Sequence, residues 1–189
     1  MAEIAKEGCA LKSEPRPSVL TGRSAALYGR LLYYGAGAIV LVADQLSKAW
    51  VSRNLVLYES IDLFDWLAPV FSLTSVRNTG VAFGLFPQLG PVFGILSLLV
   101  VGAILHFRRT VPATDYWIHG ALGLVTGGAL GNIIDRIARG YVIDFLDVNF
   151  WPFYNWPVFN LADSAIVLGV GLLLLDTVLA EWRAKRADE

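Results

Sequence analysis

Four aspartates, Asp44, Asp135, Asp144 and Asp163, lie beside long uncharged stretches of this chain. Ionisable groups at membrane depth are costly, so each needs a partner or a task. Two carboxylates held close together do not both ionise easily, and they share a proton. Such a pair can hydrolyse: the ionised member activates a water while the protonated one polarises a carbonyl. No other hydrolytic set is at hand. His106 and His119 fall toward the opposite side from these acids, so a serine nucleophile has no histidine beside it. Cys9 is the single cysteine, and no His, Cys and acid spacing suggests zinc. Spacing alone leaves open which two acids form the pair.

Each acid also has a plainer reading. Asp44 precedes Lys48 by one helical turn, the favourable order for an ion pair on one face. Asp135 closes an apolar run, where a carboxylate opposes the helix dipole. Arg136 or Arg139 can offset it, which makes Asp135 first of all a salt-bridged buttress. Asp144 sits among Val142, Ile143 and Phe145, where desolvation should raise its pKa; its plainer reading is a solvated loop acid, which fits the nearby Asp147 better. Asn160 can cap a helix with Asp163 at its third position, where negative charge is favoured.

The elements that must hold these acids follow from the charge distribution. Of 189 residues, 56% are apolar and 16% charged, against about 25% charged in an ordinary soluble domain. A net charge of −1 argues against a nucleic-acid partner, and the apolar content excludes disorder. A bilayer-spanning helix needs about 20 mostly apolar residues. Four segments qualify: Leu31 to Ala43, extended to Trp50; a helix from near Val92, after Pro87 and Pro91, to Phe107; Tyr116 to Ile134; and Leu161 to Trp182. A soluble bundle would show charged outer faces, and these segments show none. The expected fold class is therefore an all-α membrane protein with four transmembrane helices. A cytoplasmic tail would occupy residues 1–30, the helical domain 31–182 and a second tail 183–189.

Ten of the fifteen Lys and Arg residues fall on one side of a four-pass arrangement. They lie in the first tail, at Arg108 and Arg109, and in the last tail. Lys48, Arg53, Arg77, Arg136 and Arg139 remain on the other side. The positive-inside rule then makes both termini cytoplasmic and turns the two long connections outward. The apolar stretch after Arg30 has no small-residue cleavage pattern behind it, so it is not read as a signal peptide. In the first connection, Phe71 to Val76 is rich in β-branched and aromatic residues, and Asn78-Thr79-Gly80 is a turn signal. Two to four short strands are expected there, over about 55–84. A small sheet cannot lie bare in lipid, so it belongs on the outer surface. The second connection holds six aromatics among residues 150–159. An interfacial aromatic belt is the simpler reading, and a lipid-bearing substrate would rest at the same depth.

Five blocks, in order, resemble the lipoprotein signal peptidases, also called signal peptidase II. They are Asp44-Gln45-Leu46-Ser47-Lys48; Arg77-Asn78-Thr79-Gly80-Val81-Ala82-Phe83; Gly127-Gly128-Ala129-Leu130-Gly131-Asn132 through Asp135-Arg136; Val142-Ile143-Asp144-Phe145; and Phe159-Asn160-Leu161-Ala162-Asp163-Ser164. The resemblance covers roughly Leu31 to Trp182. It implies a four-pass peptidase of the bacterial inner membrane, with a small extracytoplasmic sheet after the first helix. It implies an aspartic endopeptidase that acts at the extracytoplasmic face without metal or cofactor. The implied substrate is a diacylglyceryl-modified prolipoprotein in the lipid phase, cut just before its lipidated cysteine. The resemblance, not the spacing, makes Asp144 and Asp163 the catalytic pair. It makes Asn132, Asp135, Arg136 and Asn160 their polar shell, with Asp44 and Asn78 at further positions around the site. A monomer is the expectation for the assembly. Two rivals remain: a small transporter using the acids as a proton relay, which would want charges near the midplane, and a scaffold in which the acids are only caps and salt bridges.

Overall fold

The structure, a computed structural model, describes residues 22–68, 70–80, 90–150 and 154–187. The tail up to residue 21, which holds Cys9, the segment 81–89 with Pro87, and residues 151–153 of the aromatic stretch lie outside the described residues. Four long helices are present: α1 Gly22–Asn54, α2 Gly90–Phe107, α3 Tyr116–Arg139 and α4 Leu161–Ala187. Each is long and apolar enough to cross a bilayer. A short 3-10 turn, Arg108–Thr110, follows α2. At ~1.5 Å per residue α1 spans ~50 Å, more than the ~30 Å hydrocarbon layer. The surplus carries its last turns up to the sheet.

The packing centre is α3, which touches each of the other three helices. Small residues make this possible. Gly123 and Gly127 sit against the α1 backbone at Tyr33 and Gly37, and Gly128 sits against Ala162 of α4. A Cβ at any of these would collide with a carbonyl oxygen of the neighbouring helix. In lipid, helices associate through such close backbone approach, because burying apolar surface gains little. Large apolar side chains such as Ile95, Leu99, Leu168 and Leu175 stay exposed along α2 and α4. In water they would form an aggregation-prone patch; in a bilayer they are the lipid face.

The sheet is antiparallel, with strand order β1-β2-β3-β4. Strands β1 (Ser60–Ile61) and β2 (Phe71–Asn78) come from the first long connection, within the region expected to hold them. Strands β3 (Val142–Phe150) and β4 (Tyr154–Phe159) come from the second. The last two go beyond the sequence expectation, which placed only an aromatic belt there. Pairing of β2 with β3 brings Asn78 opposite Val142 and Val76 opposite Asp144. Pro157 cannot donate to a ladder, and β4 is an edge strand, where that is tolerated. One side of the sheet packs Leu73, Ile143 and Phe145 onto Val51 and Leu55 at the end of α1. Gly140 ends α3 with a φ of 79° and its N–H on the Arg136 carbonyl at 3.0 Å. That left-handed turn, which glycine adopts without steric cost, aims the chain into β3 and toward Asp144.

Candidate active site

Four elements carry the aspartates, and the local fold explains each placement. Asn160 caps α4: its Oδ1 accepts from the Asp163 N–H at 2.9 Å, and Asp163 Oδ2 accepts from the Asn160 N–H at 3.3 Å. This reciprocal capping box fixes the Asp163 side chain at the helix start. Asp144 lies on β3 and is 2% exposed. Its Oδ1 accepts from Asn160 Nδ2 at 2.6 Å, and its Oδ2 accepts from Asn78 Nδ2 at 2.9 Å. Asn160 therefore holds both acids at once.

Asp44 and Asp135, both fully buried, do different work. Asp44 Oδ1 accepts from the Ala162 N–H at 3.0 Å, one residue before Asp163. Asp135 Oδ2 accepts from the Ile143 N–H at 3.2 Å, one residue before Asp144. Each grips the backbone that presents one cavity acid. Lys48, also fully buried, bridges them at 2.9 Å to Asp44 and 3.0 Å to Asp135. Arg139 closes a further ion pair on Asp135. The two acids and two bases neutralise one another, as buried charges must. Of the two arginines that could offset Asp135, the structure uses Arg139.

Two relays set the direction of the amides. Lys48 has only protons to give, so its bond at 2.9 Å turns the Asn132 oxygen toward it. The Asn132 amide nitrogen then donates to Asp163 Oδ1 at 2.8 Å. On the other side Arg136 donates to the Gly80 carbonyl at 3.3 Å, and the Gly80 N–H donates to Asn78 Oδ1 at 2.9 Å. The Asn78 nitrogen is left to face Asp144. The turn expected at Asn78-Thr79-Gly80 is this arrangement. Local spacing pairs Lys48 only with Asp44. Its reach to α3 left no local trace, and neither did the Gln45 contacts with Asp44 and Asp135.

Asn78, Asn132, Arg136, Asp144 and Asp163 line one cavity of about 680 Å³. Its other walls are largely apolar, from α2, α4 and β4, and include Phe93, Trp156 and Phe159. Trp156 and Phe159 thus turn part of the aromatic stretch toward the site. Asp135 and Asp44 are absent from the lining, spent on their backbone and cation partners. Burial, and next the charge of Asp163, push the Asp144 carboxyl from its ordinary 3.8 up to about 7. Bonds from Asn78 and Asn160 and the Lys48 charge oppose that rise. A carboxyl with such a value can hold a proton at neutral pH next to an ionised partner. Among the described residues, no cluster of His, Cys, Asp and Glu is placed to hold a metal ion.

The margin around this site is small. A Cβ on Gly131 would stand 2.5 Å from Asp44 Oδ2. Gly131→Ala is expected to push Asp44 off the Ala162 N–H and to cost about 1–3 kcal/mol. A lowered melting temperature of the detergent-purified variant, together with slower turnover, is the check.

Comparison with known proteins gives the same direction. The family model described as Signal peptidase (SPase) II matches residues 36–179. The "Lipoprotein signal peptidase" of Shewanella pealeana is 42% identical over 162 residues, covering 84% of this chain and 92% of the relative. That of Geobacter sulfurreducens is 43% identical over 146 residues, covering 76% and 89%. A solved bacterial membrane enzyme superposes with a TM-score of 0.69 at 29% identity, covering 76% of this chain and 85% of its own. A match across most of the helical domain, joined to these identities and to four bilayer-length helices, makes this multi-pass membrane protein a member of the signal peptidase II family of proteases.

Proposed function

We propose that this chain is an aspartic endopeptidase that removes the signal peptide from diacylglyceryl-modified bacterial prolipoproteins and cuts just before the lipidated cysteine. The similar proteins, lipoprotein signal peptidases, point to the substrate class. The observation that carries the mechanism is the pair itself. Asp144 and Asp163 face one cavity, held by a shared Asn160, while the other two buried acids are consumed by Lys48, Arg139 and backbone. The apolar walls suit a lipid-bearing chain, with the polar end set at the acids.

The chemistry then runs as follows. Asp163 as carboxylate takes a proton from water, whose oxygen attacks the scissile carbonyl carbon. Protonated Asp144 donates to the carbonyl oxygen as negative charge develops there. The tetrahedral species collapses as one hydroxyl returns its proton to Asp144, the carbon–nitrogen bond breaks, and the departing amine leaves with the proton held by Asp163. The two acids share one proton, and we place it on Asp144, whose carboxyl burial and the Asp163 charge raise to about 7. Asn132 and Asn78 hold the carboxylates in place through the relays that start at Lys48 and Arg136.

The site belongs at the extracytoplasmic face of the inner membrane, with both termini in the cytoplasm. Of the five basic residues assigned outward, four have structural employment. Lys48 and Arg139 neutralise buried acids, Arg136 holds Gly80, and Arg77 lies 4.9 Å from the Tyr141 ring centroid. Their cost on that side is offset locally, so the orienting asymmetry rests on the opposite side.

The pH dependence follows from Asp144. Raising pH through about 7 strips the general acid, so cleavage is expected to fall on that alkaline limb. Asn78→Ala removes a bond that holds this pKa down, so the limb moves to higher pH as turnover drops. A limb that stays in place would contradict the assignment. Stability has its own sign: the folded state binds this proton more tightly than the unfolded chain. Its contribution is complete below the ordinary carboxylate value and is lost as pH rises through about 7. Purified protein incubated with a lipidated precursor across pH, with products weighed by mass spectrometry, tests the activity profile.

A further inference from the structure

A second cavity, of about 530 Å³, opens at the other end of the helices. Arg30 and Tyr34 of α1, Arg108 and Arg109 of the 3-10 turn, and His119 of α3 line it. From the ~1.5 Å rise over residues 30 to 44 of α1 and 119 to 132 of α3, it lies ~20 Å along the helix axes from the aspartate pair. The mechanism makes no use of it.

Among the described residues, three guanidinium groups and no carboxylate line this cavity. None of the three forms an ion pair among the described residues. Arg108 is held instead by aromatic rings, 4.7 Å from the Tyr33 centroid and 5.0 Å from that of Tyr34. Its Nη2 donates to the Tyr34 hydroxyl at 2.6 Å. Aromatic faces orient a guanidinium without neutralising it. Two buried nitrogens on these side chains, Arg108 Nε and His119 Nδ1, have no hydrogen-bond partner among the described residues. His119 is itself only 8% exposed, with its Nε2 3.2 Å from the Pro112 carbonyl oxygen. The fold makes room for that ring, since a Cβ on Gly29 would meet its Cδ2 at 2.8 Å. Arginines that served only to orient the helices would need neither a concave setting nor a cradle of rings.

We propose that this cavity binds the phosphate-bearing headgroup of an anionic phospholipid, in the leaflet opposite the aspartate pair. The guanidinium fork matches phosphate oxygens, and a basic pocket between transmembrane helices at the membrane edge is the setting in which lipid headgroups are captured. The proposal needs the helices to span a bilayer and does not depend on the peptidase reading.

The test is native mass spectrometry of the full chain released from nanodiscs of equal phosphatidylcholine and phosphatidylglycerol. The wild type is expected to retain phosphatidylglycerol at least about tenfold over phosphatidylcholine. Arg30→Gln with Arg109→Gln, both exposed and without ion-pair partners among the described residues, should bring that preference near unity. Melting temperature in nanodiscs of phosphatidylcholine alone, and precursor cleavage, should stay unchanged. Arg108→Lys, which keeps the charge but loses the fork, should fall between. An absent preference in the wild type, or an undiminished one in the double variant, overturns the site. A tight inorganic phosphate adduct that phosphatidylglycerol does not displace overturns the lipid assignment. Loss of cleavage in Asp144→Asn, with lipid retention intact, would show that the two sites stand separately.

Discussion

Asp144→Asn and Asp163→Asn are each expected to cut turnover of a lipidated precursor by about 10³-fold or more, the upper range for removing a general acid or base. Both proteins should still accumulate in the membrane. Each amide does carry a local structural cost. Both oxygens of Asp144 accept bonds, from Asn160 and Asn78, and both oxygens of Asp163 accept, from Asn132 and the Asn160 N–H. An amide nitrogen in either place sets a donor against a donor, at about 1–3 kcal/mol. The melting temperature should therefore drop modestly while activity is lost almost entirely, in kcat rather than KM. Under the scaffold reading the two losses would be comparable and mild. Under the transporter reading, proton flux in liposomes would respond and proteolysis would be absent from the start. The charges disfavour the transporter: Asp44, Lys48, Asp135 and Arg139 collect at one end of the helices as a neutralised cluster.

Lys48→Met is expected to destabilise the fold by about 3–5 kcal/mol, because it leaves two buried carboxylates with one remaining cation. Lower yield and a much lower melting temperature are the readouts. The companion variant Lys48→Met with Asp44→Asn removes charge from both sides and should recover a good part of that loss. Activity should not follow. Without the ammonium only the longer bond from Asn160 Nδ2, at 3.3 Å, keeps the Asn132 oxygen turned from Asp163, and the amide is held less firmly. Stability that returns without turnover marks Lys48 as a positioning residue. Full activity in the double variant would reduce it to a structural ion.

These two expectations differ in how much of them the sequence carries. The helices were legible because charge is missing over runs of bilayer length, and α2 begins close to where Pro87 and Pro91 placed it. The Asp44–Lys48 pair and the Asn160–Asp163 cap were legible because both lie within one helical turn. The strands β3 and β4 were not. Their pairing partner β2 is far away in the chain, and Phe150 to Phe159 is as aromatic as an interfacial belt. Choosing Asp144 over Asp135 was beyond local chemistry too, since both are acids beside apolar runs. The difference is three-dimensional. Asp135 is saturated by Lys48, Arg139 and the Ile143 N–H, whereas Asp144 has, among the described residues, amide partners and a place on the cavity wall. The turn at Asn78-Thr79-Gly80 was readable as a turn. Its purpose, aiming an amide at Asp144, required the sheet.

The most direct test of the paired-aspartate account is to incubate the purified protein with a diacylglyceryl-modified precursor in heavy-oxygen water and weigh every product. The expected result is a lipidated fragment that begins at its cysteine, a signal peptide with a single heavy oxygen in its new carboxylate, and intact precursor when Asp144 or Asp163 is replaced by Asn. Near wild-type cleavage by either variant, or a covalent peptide adduct on the enzyme, would contradict it.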